Sequence, residues 1–135
     1  MHLHQMIAKH PDVKGSTNDA LLRCIEECYG CAQTCTSCAD ACLAEDMVAD
    51  LRQCIRLNLD CADICLAAGA MAIRRTGSNE RSIVEVLSAC ATVCQICGAE
   101  CAKHAGMHEH CQICAEACRS CEQACRDAIG SIRAH

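Results

Sequence analysis

The chain has 135 residues, the length of one ordinary domain, and 18 of them are cysteine. It contains no Phe or Trp and a single tyrosine, Tyr29, so the bulky side chains that usually fill a core are scarce. The formal net charge is −5 and the basic residues are scattered, which argues against a nucleic-acid-binding surface.

The beginning of the chain is polar and contains three histidines. Residues 1–10 have no apolar run and no small-residue cleavage site, unlike a secretion signal. No stretch approaches 18 apolar residues free of charge, so we expect no membrane span. We therefore expect a cytoplasmic protein, in which thiols stay reduced.

The pattern predicts a short N-terminal extension, residues 1–15, and one domain, residues 16–135. The extension has room for one short helical stretch before Pro11, the only proline. The predicted helices of the domain cover roughly residues 17–43, 47–75, 79–103 and 108–130.

Capping signals set these predicted boundaries. Ser16 with Asp19 resembles a capping box for the first helix, and Ser78 or Asn79 is expected to cap the third. Arg74 and Arg75 suit the last turn of the second helix, whose end is marked by a glycine just beyond it. Glycines are also expected to end the third and fourth helices, the fourth at Gly130.

The connections between the predicted helices are short, so neighbouring helices must run antiparallel. We therefore predict an all-α fold, an antiparallel up-down-up-down four-helix bundle with a cysteine-lined core. The antiparallel order gives the core two different ends. One end is aliphatic and contains Leu21, Ala68, Ala72, Ile83, Leu87, Ile129 and Ile132. The other is rich in metal ligands and contains Cys42, Met47, Cys101, His104, Met107, His108, His110 and Cys111.

The cysteines recur every three or four residues within each predicted helix, so each series lies along one face. On the first helix the six sulfurs fall within a wedge of about 80°. Asn58 stands where the second series would be expected to have a cysteine. The four series are Cys24, Cys28, Cys31, Cys35, Cys38 and Cys42; Cys54, Cys61 and Cys65; Cys90, Cys94, Cys97 and Cys101; and Cys111, Cys114, Cys118, Cys121 and Cys125.

Several ordinary uses of cysteine fit this pattern poorly. Thiols that served only as packing would leave the core underfilled. Cysteines three or four apart on a helix have nearly parallel Cβ vectors and suit a disulfide poorly. No proline follows any cysteine, unlike ferredoxin cluster loops, and the CxxC pairs lie within helical series and not in zinc knuckles.

Soft thiolates favour Cu(I) and also bind zinc. A zinc ion with four thiolates carries a net charge of about −2, which is costly to repeat in a dry core, whereas Cu(I) with one thiolate per ion is neutral. Two sulfurs at i and i+4 can bind one ion, with a third from a neighbouring helix. We therefore predict storage of several Cu(I) ions and no enzymatic activity. A thiol redox protein and a general soft-metal or zinc buffer remain as alternatives.

Some residues other than cysteine are also candidate ligands. We predict that His104 and His110 bind metal. Asn58 is either a weak oxygen ligand, a hydrogen-bond partner of a thiolate or a structural polar contact. We favour packing for Met47 and disfavour a ligand role for His108, which lies further from the cysteine face. We expect solvated positions for the three N-terminal histidines, His2, His4 and His10.

A helical bundle with stacked CxxxC pairs resembles the copper storage proteins, and the lack of a leader resembles their cytosolic branch. The resemblance covers residues 17–130 and implies many Cu(I) ions in each bundle and assembly as a homotetramer. It leaves the copper donor and acceptor unknown. It rests on the pairs Cys24/Cys28, Cys31/Cys35, Cys38/Cys42, Cys61/Cys65, Cys90/Cys94, Cys97/Cys101, Cys114/Cys118 and Cys121/Cys125.

Overall fold

Four long helices account for most of the chain. The computed structural model describes residues 2–133; residues 1, 134 and 135, which our predicted boundaries include, lie outside it. A short helix, α1, precedes the four long ones, and the described residues contain no strand. The helices are α1 (Leu3–Ala8), α2 (Asp19–Leu43), α3 (Arg52–Ile73), α4 (Glu80–His104) and α5 (Glu109–Arg133).

The four long helices form a closed ring, in which α2 and α4 each pack against α3 and α5. The predicted all-α, antiparallel four-helix bundle is therefore confirmed. Two glycines allow close contact between its helices. A Cβ atom on Gly69 of α3 would lie 2.9 Å from the ring of Tyr29 on α2, and one on Gly98 of α4 would lie 3.2 Å from Cβ of Cys118 on α5.

Some of the predicted helix boundaries are wrong. The second long helix does not begin at residue 47, because Val48–Leu51 form a 3-10 turn and α3 starts at Arg52. Arg74 is not in its last turn, since its backbone is already extended. Gly130 does not end α5, because its backbone is not left-handed and Ile132, in the next turn, still packs against the core.

The predicted capping box is also wrong. Asn18, not Ser16, caps α2, and its Oδ1 accepts a hydrogen bond from the Leu21 backbone N–H at 3.1 Å. Its Nδ2 donates to Oγ of Ser131 at 2.8 Å, which ties the start of α2 to the end of α5. At α4, Asn79 occupies the cap position but its side chain bonds the carbonyl of Arg74 and does not cap the helix.

The N-terminal segment packs on the aliphatic end of the bundle. Its short helix α1 confirms the helical stretch expected before Pro11, and Ile7 of α1 is buried against the core. Nε2 of His4 contacts a carboxylate oxygen of Glu26 at 2.9 Å. Oδ2 of Asp12 accepts the backbone N–H of Gly77 at 2.9 Å. These contacts fasten the segment to α2 and to the connection between α3 and α4.

The aliphatic end has the predicted composition. Leu21, Ala68, Ala72, Ile83 and Leu87 are buried there, and Ile129 and Ile132 are half-buried against them.

By length and composition, α4 is apolar enough to cross a membrane, contrary to our expectation for any segment of the chain. A helix whose inner face fills the core of a bundle has the same property. The cysteines and aliphatic residues on the inner face of α4 pack against α3 and α5, which accounts for its apolar composition.

Candidate metal centre

Every cysteine of the chain points into the core. The cysteine side chains are at most 2% exposed, and all eighteen are free thiols. Their positions follow from the spacing, because residues three and four apart share one face of a helix and that face is the buried one in α2, α3, α4 and α5. The predicted cysteine-lined core is therefore confirmed.

The thiols meet in groups whose ligand atoms all lie within 4.8 Å of one another, close enough to share a metal ion. From the aliphatic end towards the other, five such groups are Cys28/Cys90/Cys121/Cys125; Cys31/Cys65/Cys94/Cys121; Cys31/Cys35/Cys61/Cys118; Cys35/Cys97/Cys114/Cys118; and Cys38/Cys42/His110/Cys111.

The first four groups share thiols with their neighbours, so their sulfur atoms form a continuous ladder that leads towards the fifth group. Cys121 belongs to the first and second groups, Cys31 to the second and third, and Cys35 and Cys118 to the third and fourth. Close pairs along the ladder have Sγ–Sγ distances of 3.6–3.9 Å, from Cys24–Cys125 at 3.6 Å to Cys61–Cys65 at 3.9 Å. This sharing of thiols suits thiolates that each bridge two metal ions.

Most close contacts join different helices. Within one helix, Cys31 and Cys35 are 3.8 Å apart, as the spacing of i and i+4 predicts. The second group, in contrast, takes one thiol from each of the four long helices. An ion there would be held by the packing of the whole bundle and not by any single helix.

Asn58 lies in the middle of the ladder and is completely buried. Its Oδ1 accepts hydrogen bonds from the thiols of Cys97 and Cys114, each at 3.1 Å, and from Cys101 at 3.5 Å. Its Nδ2 donates to Sγ of Cys54 at 3.7 Å. The amide therefore replaces one sulfur with a hard oxygen that faces three thiols, and it also offers a donor to a fourth.

His110 completes the group at the ligand-rich end. Its Nδ1 lies 3.4 Å from Sγ of Cys38 and 3.6 Å from Sγ of Cys111, and its Nε2 lies 3.0 Å from Oε2 of Glu45. Burial opposes protonation of this imidazole, but its hydrogen bonds to Cys38 and Glu45 raise the pKa of His110 above the ordinary value.

The other histidines at this end also contact carboxylates. Nε2 of His104 lies 3.0 Å from Oε2 of Glu100, and Nδ1 of His108 lies 2.6 Å from Oε2 of Glu45. The side chain of His108 is only 14% exposed. Met47, at 50% exposed, does not pack in the core as we favoured, because the 3-10 turn after it keeps it at the surface.

Burial and contacts with neighbouring side chains shift the pKa values of the thiols at this end in different directions. Hydrogen bonds, from Cys101 first and also from His110, lower the pKa of Cys38 to about 6. Burial raises the pKa of Cys42 to about 12 and also raises the pKa of Cys111. Cys38 is therefore the thiol of this group that is most readily present as a thiolate, the form that binds metal.

The sequence model of the family described as "Copper storage protein" matches residues 17–130, which contain α2, α3, α4 and all but the last three residues of α5. The chain belongs to the copper storage protein family. The predicted resemblance is therefore confirmed, over the residues for which we predicted it.

Solved structures of copper storage proteins share the fold. Ccsp from Streptomyces lividans, loaded with 10 copper equivalents, is 56% identical with a TM-score of 0.91, over 95% of this chain and 98% of that chain. A structure of the same protein with five coppers, described as cytosolic, is 62% identical with a TM-score of 0.81 and covers 83% of this chain and 93% of that chain. Cu(I)-bound BsCsp3 is 39% identical with a TM-score of 0.64, and the match covers 76% of this chain and 92% of that chain. The uncharacterized cysteine-rich protein YhjQ of Bacillus subtilis is 42% identical over 94 residues, which is 70% of this chain and 82% of YhjQ.

Two carboxylates at the ligand-rich end of this copper storage protein were missed by sequence reasoning. Glu100 precedes His104 by four residues on α4, so helical spacing could have found this contact. Burial opposes the ionisation of Glu100, but hydrogen bonds from His104 and Lys103 lower its pKa. Glu45 lies in the connection after α2, where no periodic pattern indicates what a side chain contacts.

A groove on the side of this copper storage protein leads to the same group of ligands. It has a volume of about 290 Å³ and runs between α2 and α5, lined by Gln33, Thr34, Ser37, Cys38, His110 and Ile113. Cys38 and His110 are therefore the ladder residues that lie nearest to this surface.

Proposed function

We propose that this chain is a high-capacity store for Cu(I) and not an enzyme. The observation that carries the proposal is the ladder of buried free thiols, in which the first four groups share ligands with their neighbours. A chain of bridging thiolates can hold many Cu(I) ions at little net charge, since each Cu(I) balances one thiolate. Isolated tetrathiolate zinc sites would each leave about two negative charges in the same dry core.

The proposed ligands are the eighteen cysteines with His104, His110 and Asn58. The support for His110 is its Nδ1, which faces two thiols. The support for Asn58 is its Oδ1, which faces three. His104 is supported by its place at the end of α4, one turn after Cys101.

We further propose that copper enters at the ligand-rich end, through the groove between α2 and α5. Cys38 and His110 line this groove, and Cys38 is the thiol there with the lowered pKa. At the opposite end the core side chains beyond the thiols are aliphatic, and the N-terminal segment covers them.

The proposed protein is a cytoplasmic homotetramer. A cytoplasmic location is supported by the related Streptomyces protein, which is described as cytosolic. Assembly is supported by three aliphatic side chains that are about half exposed on the outer faces of α3 and α4, namely Leu59, Leu66 and Ile96. Native mass spectrometry should detect four chains in one complex, and a monomer would contradict the assembly.

Metal competition tests the storage function against its two alternatives. Reduced protein should be loaded anaerobically with Zn(II), treated with Cu(I), desalted and analysed for both metals and for free thiols. A Cu(I) store releases the zinc and retains copper, because thiolates bind Cu(I) more strongly. Retention of zinc would favour a zinc buffer. A redox protein would instead retain little copper, and a separate sample treated with oxidised glutathione would form disulfides that a reductant reverses, with glutathione as the reduced product.

A further inference from the structure

One carboxylate oxygen connects two histidines beside the outermost group of thiols. Oε2 of Glu45 lies 2.6 Å from Nδ1 of His108 and 3.0 Å from Nε2 of His110. The two imidazole rings are stacked, with centroids 5.4 Å apart and an interplanar angle of 17°. Glu45 itself is 32% exposed, so this contact lies at the edge of the core.

The chemistry of a carboxylate determines where the protons of these rings lie. An ionised carboxylate only accepts hydrogen bonds, so each nitrogen that contacts it carries a proton. In a neutral imidazole the other nitrogen is then unprotonated and can bind metal. When both imidazoles are neutral, His108 therefore has an unprotonated Nε2 and His110 an unprotonated Nδ1. One carboxylate thus holds two neighbouring histidines in opposite tautomers.

The bare nitrogen of His110 has a defined place. It faces Sγ of Cys38 at 3.4 Å and Sγ of Cys111 at 3.6 Å, within the group that also contains Cys42. With the other tautomer, His110 would present an N–H to these thiols and offer the ion no lone pair. The tautomer imposed by Glu45 is the one that binds metal together with the thiols.

We propose that Glu45 is a positioning residue for Cu(I) uptake, which fixes His108 and His110 so that each presents a bare nitrogen beside the outermost thiols. This inference rests on the proposed copper storage function. The two stacked rings then offer successive nitrogen ligands to an incoming ion before Cys38 and Cys111 bind it. The negative charge of Glu45 also offsets the charge of a Cu(I) ion that neutral imidazole holds in transit. Carboxylates that orient metal-binding histidines commonly change affinity or activity by about 10-fold to 100-fold.

The test compares Cu(I) uptake by wild type, Glu45→Ala and Glu45→Gln under anaerobic conditions. Glu45→Ala should slow the first phase of transfer from a Cu(I)-chelator complex by about tenfold or more, with the final number of bound ions unchanged. The transfer rate of Glu45→Gln should lie between those of wild type and Glu45→Ala, because an amide oxygen can still accept hydrogen bonds from both rings but carries no charge. Glu26→Ala is the matched control, since it removes a similar carboxylate contact, to His4, at the other end of the bundle.

A second readout separates positioning from a merely structural role. At a pH at which the imidazoles are neutral, nitrogen-15 NMR of the metal-free protein should show His110 unprotonated at Nδ1 in wild type and a mixture of tautomers in Glu45→Ala. Far-UV circular dichroism establishes whether each variant is folded. If Glu45→Ala does not fold, Glu45→Gln replaces it in both measurements.

The outcomes distinguish this inference from the storage function. If wild type binds only a few ions, the storage function itself is wrong. If wild type fills and Glu45→Ala fills at the same rate with an unchanged His110 tautomer, the role of Glu45 is wrong and the storage function stands.

Discussion

Replacing Leu87 with alanine separates the role of the aliphatic end from that of the metal ligands. Leu87 has no exposed surface and packs with Ile83 and Ala72 in the core cluster. Its truncation should lower the free energy of unfolding of the metal-free protein by about 3 kcal/mol. For a chain of this length, with an unfolding entropy of about 2.1 cal/mol/K per residue, the melting temperature should fall by about 10 °C.

The assay is thermal unfolding of the fully reduced, metal-free protein, followed by far-UV circular dichroism. The spectrum before heating should be helical, because Asn18 caps α2 and aliphatic side chains pack the core at one end of the bundle. Leu66→Ala is the matched control. Leu66 is 47% exposed on α3, so its loss should cost less than about 1 kcal/mol.

The same variant tests the route of copper uptake. Leu87 offers no ligand, so Leu87→Ala should bind as many Cu(I) ions as wild type and at the same rate. Faster loading of Leu87→Ala would show that copper enters through the aliphatic end, and our account of the route would be wrong. A melting temperature equal to that of Leu66→Ala would refute the assignment of Leu87 to a well-packed core.

Three further predictions concern the ligand-rich end and the packing of the helices. Replacing His104 and His110 together with alanine should slow loading while lowering the capacity by about one or two ions; stopped-flow transfer from a chelator measures the rate, and a wild-type rate would contradict their role. The loading rate should fall between about pH 8 and about pH 5, because the raised pKa of His110 and the pKa of Cys38 near 6 both convert ligands to protonated forms as pH decreases. Gly69→Ala should cost about 1–3 kcal/mol from overpacking, less a small gain in helix propensity. Gly30→Ala, where an added Cβ meets no atom, should instead stabilise the protein by about 0.5–1 kcal/mol, and chemical denaturation of both variants decides between these signs.

The spacing of the cysteines was sufficient to predict the fold and the core. A repeat of three and four residues puts Cys24 and its successors on one face, and only a bundle buries four such faces together. The aliphatic end followed from the antiparallel order, which brings Leu21 and Leu87 to the same end although they are far apart in sequence.

The detailed grouping of the thiols could not be predicted in the same way. Which sulfurs meet depends on how far each helix is shifted along its neighbours, and close contacts such as that of Gly69 with Tyr29 influence this shift. Spacing within one helix indicates that Cys31 approaches Cys35, but it does not indicate that Cys31 also meets Cys65, Cys94 and Cys121.

Helix ends and loop contacts were the least predictable features. Ser16 and Asn18 are both good capping residues, and the choice of Asn18 depends partly on its contact with Ser131, which is distant in sequence. Glu45 reaches His108 and His110 across the end of the bundle, and the sequence carries no local signal for that contact.

The number of Cu(I) ions bound by one chain tests the central claim most directly. Fully reduced protein should be titrated anaerobically with Cu(I) in the presence of a chromogenic chelator, with the thiols counted in the same sample. If the thiols act as one continuous ladder with about one ion per thiolate, the chain should bind roughly 18 ions before the chelator competes, and a few more if the histidines bind as well. Saturation at about four or five ions would indicate separate tetrathiolate sites and would contradict the copper-store account.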